Sequence, residues 1–319
     1  MKEIIIVAGP PGCGKTSVAR KYQSQGFIRL NRDEIGGSLQ GLILEELDRL
    51  IQAGNGQIVL DNTYATAESR ALLLAKAKQY GFNVHMKWLL TTPEQAQFFA
   101  ARRQVLKHGK LFGADDYRAH KKDPNMFPPI AQYAYWKRVE KPTLAEGFSS
   151  IEEVPVTINL GPEYKNRALL LDYDGTLRLT KSGAKYPVDD RDIEILPRRR
   201  DVLESKRKEG FLLLGVSNQS GCARDPHEEG YLSEATAELC FDRTNQLLGQ
   251  DIDYLYAPDK AGVPYTYWRK PMPGMGVVFI EKYRLNPAEC IVIGDFKTDK
   301  TFAQRCGFQF ADAKDFFRD

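Results

Sequence analysis

Histidine and cysteine are scarce in this 319-residue chain, with four of the first and five of the second. The cysteines (Cys13, Cys222, Cys240, Cys290, Cys306) are odd in number and scattered, and none forms a Cys-x-x-Cys pair. That argues against a disulfide framework and a zinc knuckle, and points to a reduced, cytoplasmic chain. Long apolar runs are also missing. The opening Ile4-Ile5-Ile6-Val7-Ala8 is too short for a signal-peptide core and runs straight into a Gly/Pro loop. No stretch approaches the ~20 apolar residues that a bilayer span needs, so no membrane partner is expected. Net charge is only +3, so bulk charge does not announce a polyanion binder. The basic excess is local: residues 102–141 hold ten Lys/Arg against four Asp/Glu, with Phe112, Tyr117, Tyr135 and Trp136 interleaved.

The chain does contain one grammar used twice. Ile4–Ala8 is followed by the loop Gly9–Thr16, and Ala168–Leu171 by Asp172–Thr176. Unbroken apolar strands of this kind are buried strands of a parallel sheet. Further strands are expected at Phe27–Leu30, Ile58–Leu60, Val84–Leu90, Val154–Leu160, Phe211–Val216 and Cys290–Ile293. Helices are expected at Ala67–Gln79, Pro93–Val105 and Leu232–Leu248. The predicted class is α/β in two domains, each a mostly parallel sheet flanked by helices. The join is placed at Gly161-Pro162, giving domains 1–163 and 164–319.

Gly9-Pro10-Pro11-Gly12-Cys13-Gly14-Lys15-Thr16 satisfies GxxxxGK[ST] directly after a strand. Gly9, Gly12 and Gly14 let backbone N–H groups turn inward around a β-phosphate, and the helix N-terminus adds partial positive charge. Lys15 is expected to reach the β/γ-oxygens of ATP or another NTP, and the Thr16 hydroxyl to ligate Mg²⁺. Asp33, in Asn31-Arg32-Asp33, is either a general base for an attacking hydroxyl or a helix N-cap. Asp61 ends the next strand and either holds an Mg²⁺-bound water or starts a turn.

These blocks, with Pro93-Glu94-Gln95-Ala96 and Lys141-Pro142-Thr143-Leu144-Ala145-Glu146-Gly147-Phe148, resemble the kinase domain of the polynucleotide kinase-phosphatases. The resemblance covers about 150 residues and includes a Ser-Arg like Ser69-Arg70. It implies that Asp33 deprotonates a 5′-hydroxyl. It also implies that Lys15 and a lid arginine, Arg102 or Arg103, stabilise charge on the transferring phosphoryl group. The phage enzyme of this family has an arginine three residues after its base, where this chain has Gly36. Any such contact must come from elsewhere.

Asp172-Tyr173-Asp174-Gly175-Thr176 presents two carboxylates from one strand-end loop. A carboxylate nucleophile facing a phosphate monoester needs cations to offset repulsion; Mg²⁺ on Asp172 and Asp295, and the Lys270 ammonium, would supply them. With Ser217 and the Gly294-Asp295…Asp299 run, this set resembles the haloacid-dehalogenase superfamily over residues 165–319. The resemblance implies an aspartyl-phosphate on Asp172, general acid/base action by Asp174, and phosphoryl contacts from Ser217 and Lys270. Mg²⁺ would be held by Asp172, the Asp174 carbonyl and Asp295, supported by Asp299. Arg269–Met275 is nearest to a subgroup holding polynucleotide 3′-phosphatases and histidinol-phosphate or heptose-bisphosphate phosphatases. The metabolite enzymes usually carry a Cys/His zinc loop; here those places read Ala257, Asp259, Thr266 and Trp268, so no zinc is expected. About 40 residues separate Thr176 from Ser217, leaving no room for a large cap.

The expected function is therefore repair of nucleic-acid ends, phosphorylating 5′-OH and hydrolysing 3′-phosphate termini of DNA or RNA. The basic stretch 102–141 would guide the strand and offer an aromatic for base stacking. A ligase is a compatible partner and a bacterial or phage genome a compatible source. The competing expectation is a small-metabolite kinase fused to a phosphatase of the histidinol-phosphate or heptose-bisphosphate type.

Overall fold

Short runs of β-branched and aliphatic residues build the first sheet of the computed structural model, which describes residues 2–121, 123–262 and 266–318. Its strands are β1 (Glu3–Ala8), β2 (Ile28–Leu30), β3 (Gln57–Asp61), β4 (Asn83–Leu90) and β5 (Ser150–Pro155). They lie in the order β2-β3-β1-β4-β5, every pair parallel. β1 is central, and Ile4 to Ala8 are all buried, as a strand covered on both faces requires. The helix Leu42–Gln52 covers one face with Ile43, Leu44, Leu47 and Leu50, the i, i+3, i+4 stripe of an amphipathic helix. The register Val7↔Asp61 and Leu30↔Leu60 brings the ends of three strands level, so the loops after them share one edge.

The last strand of this sheet differs from the sequence expectation of Val154–Leu160. β5 pairs with β4 from His85↔Ser150 to Leu90↔Pro155, and the ladder stops because β4 stops there. Hydrophobicity after Pro155 had pulled the predicted strand too far along the chain.

Arg70 closes the fold of this unit. The side chain is fully buried; Nε and Nη2 donate to the two Glu146 oxygens at 2.6 and 2.9 Å, and Nη1 donates to the carbonyls of Tyr64 and Glu140. Glu146 also accepts from the Thr143 N–H, so one carboxylate pins the Lys141–Phe148 segment to the helix Ala67–Gln79.

The second sheet is built from β6 (Ala168–Leu171), β9 (Leu212–Asn218), β10 (Asp253–Ala257), β11 (Ile291–Gly294) and β12 (Gln309–Asp312). The order β10-β9-β6-β11-β12 is again wholly parallel. Between β6 and β9 the chain makes an antiparallel hairpin, β7 (Arg178–Thr180) with β8 (Ile193–Ile195), and a helix, Arg199–Lys208. No larger insertion covers the strand ends among the described residues. The sheet packs against Leu203, Ala237, Phe241 and Leu248 from the flanking helices.

The chain divides into two compact units, Met1–Ala100 with Tyr117–Thr157, and Ala101–Asp116 with Ile158–Asp319. The division falls a few residues before the expected Gly161-Pro162 join, and 101–116 groups with the second unit. Arg102 shows why: Nε donates to Glu281 at 2.6 Å and Nη2 to the Tyr164 hydroxyl at 3.1 Å. Among the described residues, no helix is long and apolar enough to cross a membrane.

Breaking a buried ion pair by removing one partner costs about 3–5 kcal/mol, because the other charge stays behind. Arg70→Ala is expected to destabilise the chain by about that much, read as a lower urea midpoint. A change under about 1 kcal/mol would show that the Lys141–Phe148 segment does not depend on this pair.

Candidate active sites

The loop Gly9–Gly14 turns at the end of β1 because three of its glycines take left-handed φ: 155° at Gly9, 90° at Gly12 and 90° at Gly14. A Cβ on Gly12 would also stand 3.1 Å from the Ala96 carbonyl. Beneath the loop lies Gln132, fully buried, whose Nε2 donates to the carbonyls of Pro11 and Ala96 at 3.0 and 2.8 Å. Gly14 caps the helix Lys15–Gln23, which places Thr16 in its first turn. Lys15 Nζ donates to the carbonyls of Gly9 and Pro10, so the ammonium rests over the concave side of the loop.

The neighbouring strand ends are knitted together by side-chain amides. Asn31 donates to the Asp61 carbonyl at 2.6 Å and accepts from the Asp33 N–H at 2.8 Å; Asn62 accepts from the Arg32 N–H. Asn31, rather than Asp33, therefore caps the short helix Arg32–Ile35. The Asp33 carboxylate is a third exposed, meets Arg32 at 3.1 Å and faces outward. Asp61 is 1% exposed, and its Oδ2 accepts from Arg29 Nε and Nη2 at 3.1 and 2.7 Å. At Arg32, the residue before Asp33, opens a cavity of about 330 Å³ also lined by Ser38, Gln40, Thr63, Thr66 and Arg138; Asp33 is not part of its lining.

Two sequence expectations in the basic stretch change here. Phe112 and Tyr135 are 2% and 1% exposed, core residues that offer no face to a base. Tyr135 lies on the inner face of the helix Pro129–Trp136, and Trp136 packs against the same core. Arg102 is engaged by Glu281 and Tyr164, and it shares the helix Pro93–His108 with Arg103.

In the second unit Asp172, Ser217 and Asp295 stand at the ends of β6, β9 and β11. Lys270 Nζ lies 2.7 Å from both Asp172 Oδ1 and Asp299 Oδ1, and donates to the Val216 carbonyl. Asn218 holds the Lys270 backbone at both ends, donating to its carbonyl and accepting from its N–H. Asp299 also accepts from the Phe296 N–H, capping the helix Lys297–Cys306. Oxygens of Asp172, Asp295 and Asp299 lie within 4.8 Å of one another. Two glycines permit this crowding. A Cβ on Gly175 (φ 81°) would stand 2.4 Å from Asp295 Oδ2, and one on Gly294 2.5 Å from Asp299. The Asp174 carboxylate turns toward Arg178 and Gln219, and Gln219 also donates to Ser217.

Residues 4–108 match the family model described as AAA domain, and residues 167–317 the model described as polynucleotide kinase 3 phosphatase. The second half of the chain thus matches the phosphatase model almost throughout, and the first half carries the AAA match. A bifunctional polynucleotide phosphatase/kinase of Schizosaccharomyces pombe is 28% identical over 48% of this chain and 34% of its own length. The chain thus spans about a third of that relative. A D-glycero-beta-D-manno-heptose-1,7-bisphosphate 7-phosphatase of Haemophilus influenzae is 30% identical over 41% of this chain and 71% of its own. Among solved structures, one of the Pnkp1/Rnl/Hen1 RNA repair complex covers 98% of this chain and 95% of that one at 17% identity and a TM-score of 0.33.

Arg29, Gln132 and Arg178 were not singled out from the sequence, and Asn218 and Gln219 entered only as neighbours of Ser217. Of the first three, only Arg178 left a trace there, as a charge inside the apolar run Leu177-Arg178-Leu179.

Three carboxylates and one ammonium leave the second site short of positive charge. Burial, opposed by Lys270 and reinforced by Asp299, pushes the Asp172 carboxyl up to about 7. Burial and Asp299 raise Asp295 as well. The all-oxygen donor set fits a hard divalent cation such as Mg²⁺. A carboxyl raised in the folded state holds a proton that the unfolded chain releases, so without metal stability falls as pH climbs from about 4 toward 7. A Mg²⁺ ion bound here would take the place of that proton. Its stabilisation of the second unit, read as a shift in unfolding temperature, is therefore expected to grow between pH 5 and pH 8. A shift constant across that range, or one kept in Asp295→Asn, would contradict this assignment.

Proposed function

We propose that the chain heals nucleic-acid ends, moving the γ-phosphoryl group of an NTP to a 5′-hydroxyl and removing a 3′-phosphate. The carrying observation is that two complete phosphate-handling sets stand on two separate sheets. One is a glycine loop with Lys15 and an outward carboxylate; the other is a carboxylate cluster around Lys270.

In the first unit Asp33 takes the proton of the 5′-hydroxyl, whose oxygen attacks the γ-phosphorus as the bond to the β-phosphate oxygen breaks. Loop N–H groups and Lys15 offset charge on the transferred group. Thr16, and Asp61 through water, would hold the Mg²⁺ that shields the triphosphate. The cavity at Arg32 receives the acceptor end, and Arg32 and Arg138 supply the cationic contact that Gly36 does not. In the second unit Asp172 attacks the 3′-phosphate while Ser217 and Lys270 hold its oxygens, and Asp174 moves the proton. Asp172, the Asp174 carbonyl and Asp295, supported by Asp299, would hold the Mg²⁺ that screens the nucleophile from the dianion.

A phosphatase acting on a heptose-type metabolite is the second reading, favoured by the larger share of the Haemophilus influenzae relative that this chain covers. The strand ends, with no insertion larger than the β7–β8 hairpin among the described residues, favour a polymer terminus.

Radiolabelled transfer to 5′-OH oligonucleotides, and phosphate release from 3′-phosphate oligonucleotides, test both activities. Asp33→Ala is expected to lower kinase turnover by at least about 10²-fold and leave the phosphatase near wild type. Asp172→Asn is expected to do the reverse. Parallel loss of both activities in either variant would contradict two separate sites.

Arg138→Ala should raise KM for the 5′-OH strand several-fold and flatten its dependence on salt, since a phosphate contact is lost. An unchanged KM would exclude the Arg32 cavity as the strand's entry.

A further inference from the structure

Arg178 is 1% exposed, yet its guanidinium faces the phosphatase site from inside the core. Nε donates to Asp174 Oδ1 at 2.8 Å, and Nη1 to the Cys240 carbonyl and Thr244 Oγ1 at 2.7 and 2.9 Å. The rings of Tyr173 and Phe241 lie 5.3 and 5.2 Å away. The second Asp174 oxygen accepts from Gln219 Nε2 at 3.0 Å, and the same amide donates to Ser217 Oγ at 3.0 Å. Asp174 is thus gripped on both oxygens by groups anchored elsewhere in the fold.

Burying a guanidinium is costly, and a well-packed apolar residue would often stabilise such a position more. Packing alone therefore does not account for a charge here. The Asp174 carboxyl, in contrast, needs an exact placement. Under the reading above, Asp172 forms a bond to phosphorus, the bond to the 3′-oxygen breaks, and the Asp174 proton goes to that departing oxygen. Water then attacks phosphorus, the bond to Asp172 breaks, and the water's proton returns to Asp174. Both transfers need the same carboxyl within about 3 Å of two different oxygens.

We infer that Arg178 and Gln219 are positioning residues that fix the Asp174 side chain for both proton transfers. Each carboxylate oxygen has two lone-pair sites, so one hydrogen bond to each leaves the outer edge open to substrate. The Gln219 amide also ties Asp174 to Ser217, so the proton carrier and a phosphoryl contact shift together or not at all. The inference rests on the proposed phosphatase reaction.

The test compares leaving groups in the full-length protein with Mg²⁺. An alkoxide such as the 3′-oxygen must be protonated as it departs; p-nitrophenolate need not be. Arg178→Met is expected to slow single-turnover release from a 3′-phosphate oligonucleotide by about 10²-fold, while the p-nitrophenol burst falls by less than about fivefold. Arg178→Lys should recover part of the difference. Gln219→Met, which leaves the buried cation alone, should move the same ratio in the same direction. Equal losses on both substrates in Arg178→Met and Gln219→Met, or no loss in either, would overturn the inference. A wild-type chain that cleaves p-nitrophenyl phosphate but ignores 3′-phosphate ends would instead overturn the reading on which it rests.

Discussion

Lys270 is the charge on which the second site depends. It sits 2.7 Å from Asp172 and from Asp299, is almost wholly buried, and has its backbone held by Asn218. Burial works against its ammonium, but Asp172 and Asp299 outweigh that and raise its pKa. The dependence is mutual. Without the ammonium, two buried carboxylates would face each other across a low-dielectric gap. With it, the cluster still lacks positive charge, which is why the burial-shifted Asp172 remains a strong site for a cation.

Under the proposed function the first unit meets the same problem, a multiply charged phosphate, from the opposite side. Its anion comes with the substrate, so the protein supplies donors instead: loop N–H groups, one lysine and a helix terminus. Left-handed backbone at Gly9, Gly12 and Gly14 is the structural cost, and Gln132 offsets part of it by bonding Pro11 and Ala96 from below. In both units the loop can be strained because the strand feeding it is buried and parallel-paired on both sides. Rigid sheets carry the irregular turns, and the irregular turns carry the chemistry.

Sequence alone exposes the strands, the two strand–loop–helix units and the acidic motifs, because each is written within about ten neighbouring residues. It also anticipates the helix Ala67–Gln79 to the residue. What it hides is long-range. Arg70 reaches Glu146 across 76 positions, Gln132 reaches Pro11 across 121, and Lys270 reaches Asp172 across 98. The last is anticipated because a nucleophilic carboxylate facing a phosphate needs a cation, and the family resemblance implies it as well. Local composition misled in two places. Of the aromatics among basic residues that suggested a stacking surface, Phe112 and Tyr135 are buried, while Tyr117 and Trp136 are half-buried. Apolar residues after Pro155 suggested strand, but β4 has ended and cannot pair with them.

The hidden contacts share a property that the motifs do not. Gln132 and Arg178 belong to no motif, and Gln219 only follows one, yet each joins a candidate site loop to an element far along the chain. A motif states which groups the chemistry needs; it says nothing about what keeps a loop from relaxing. Backbone in left-handed or crowded conformations costs about 1–3 kcal/mol per residue and persists only where the surroundings over-determine it. In this chain the over-determination comes from buried amides and guanidinium groups, whose fixed donor geometry constrains direction as well as distance. An apolar residue of similar volume could fill the same space without aiming anything. That difference explains why polar side chains this costly to bury collect directly behind the phosphate-binding loops.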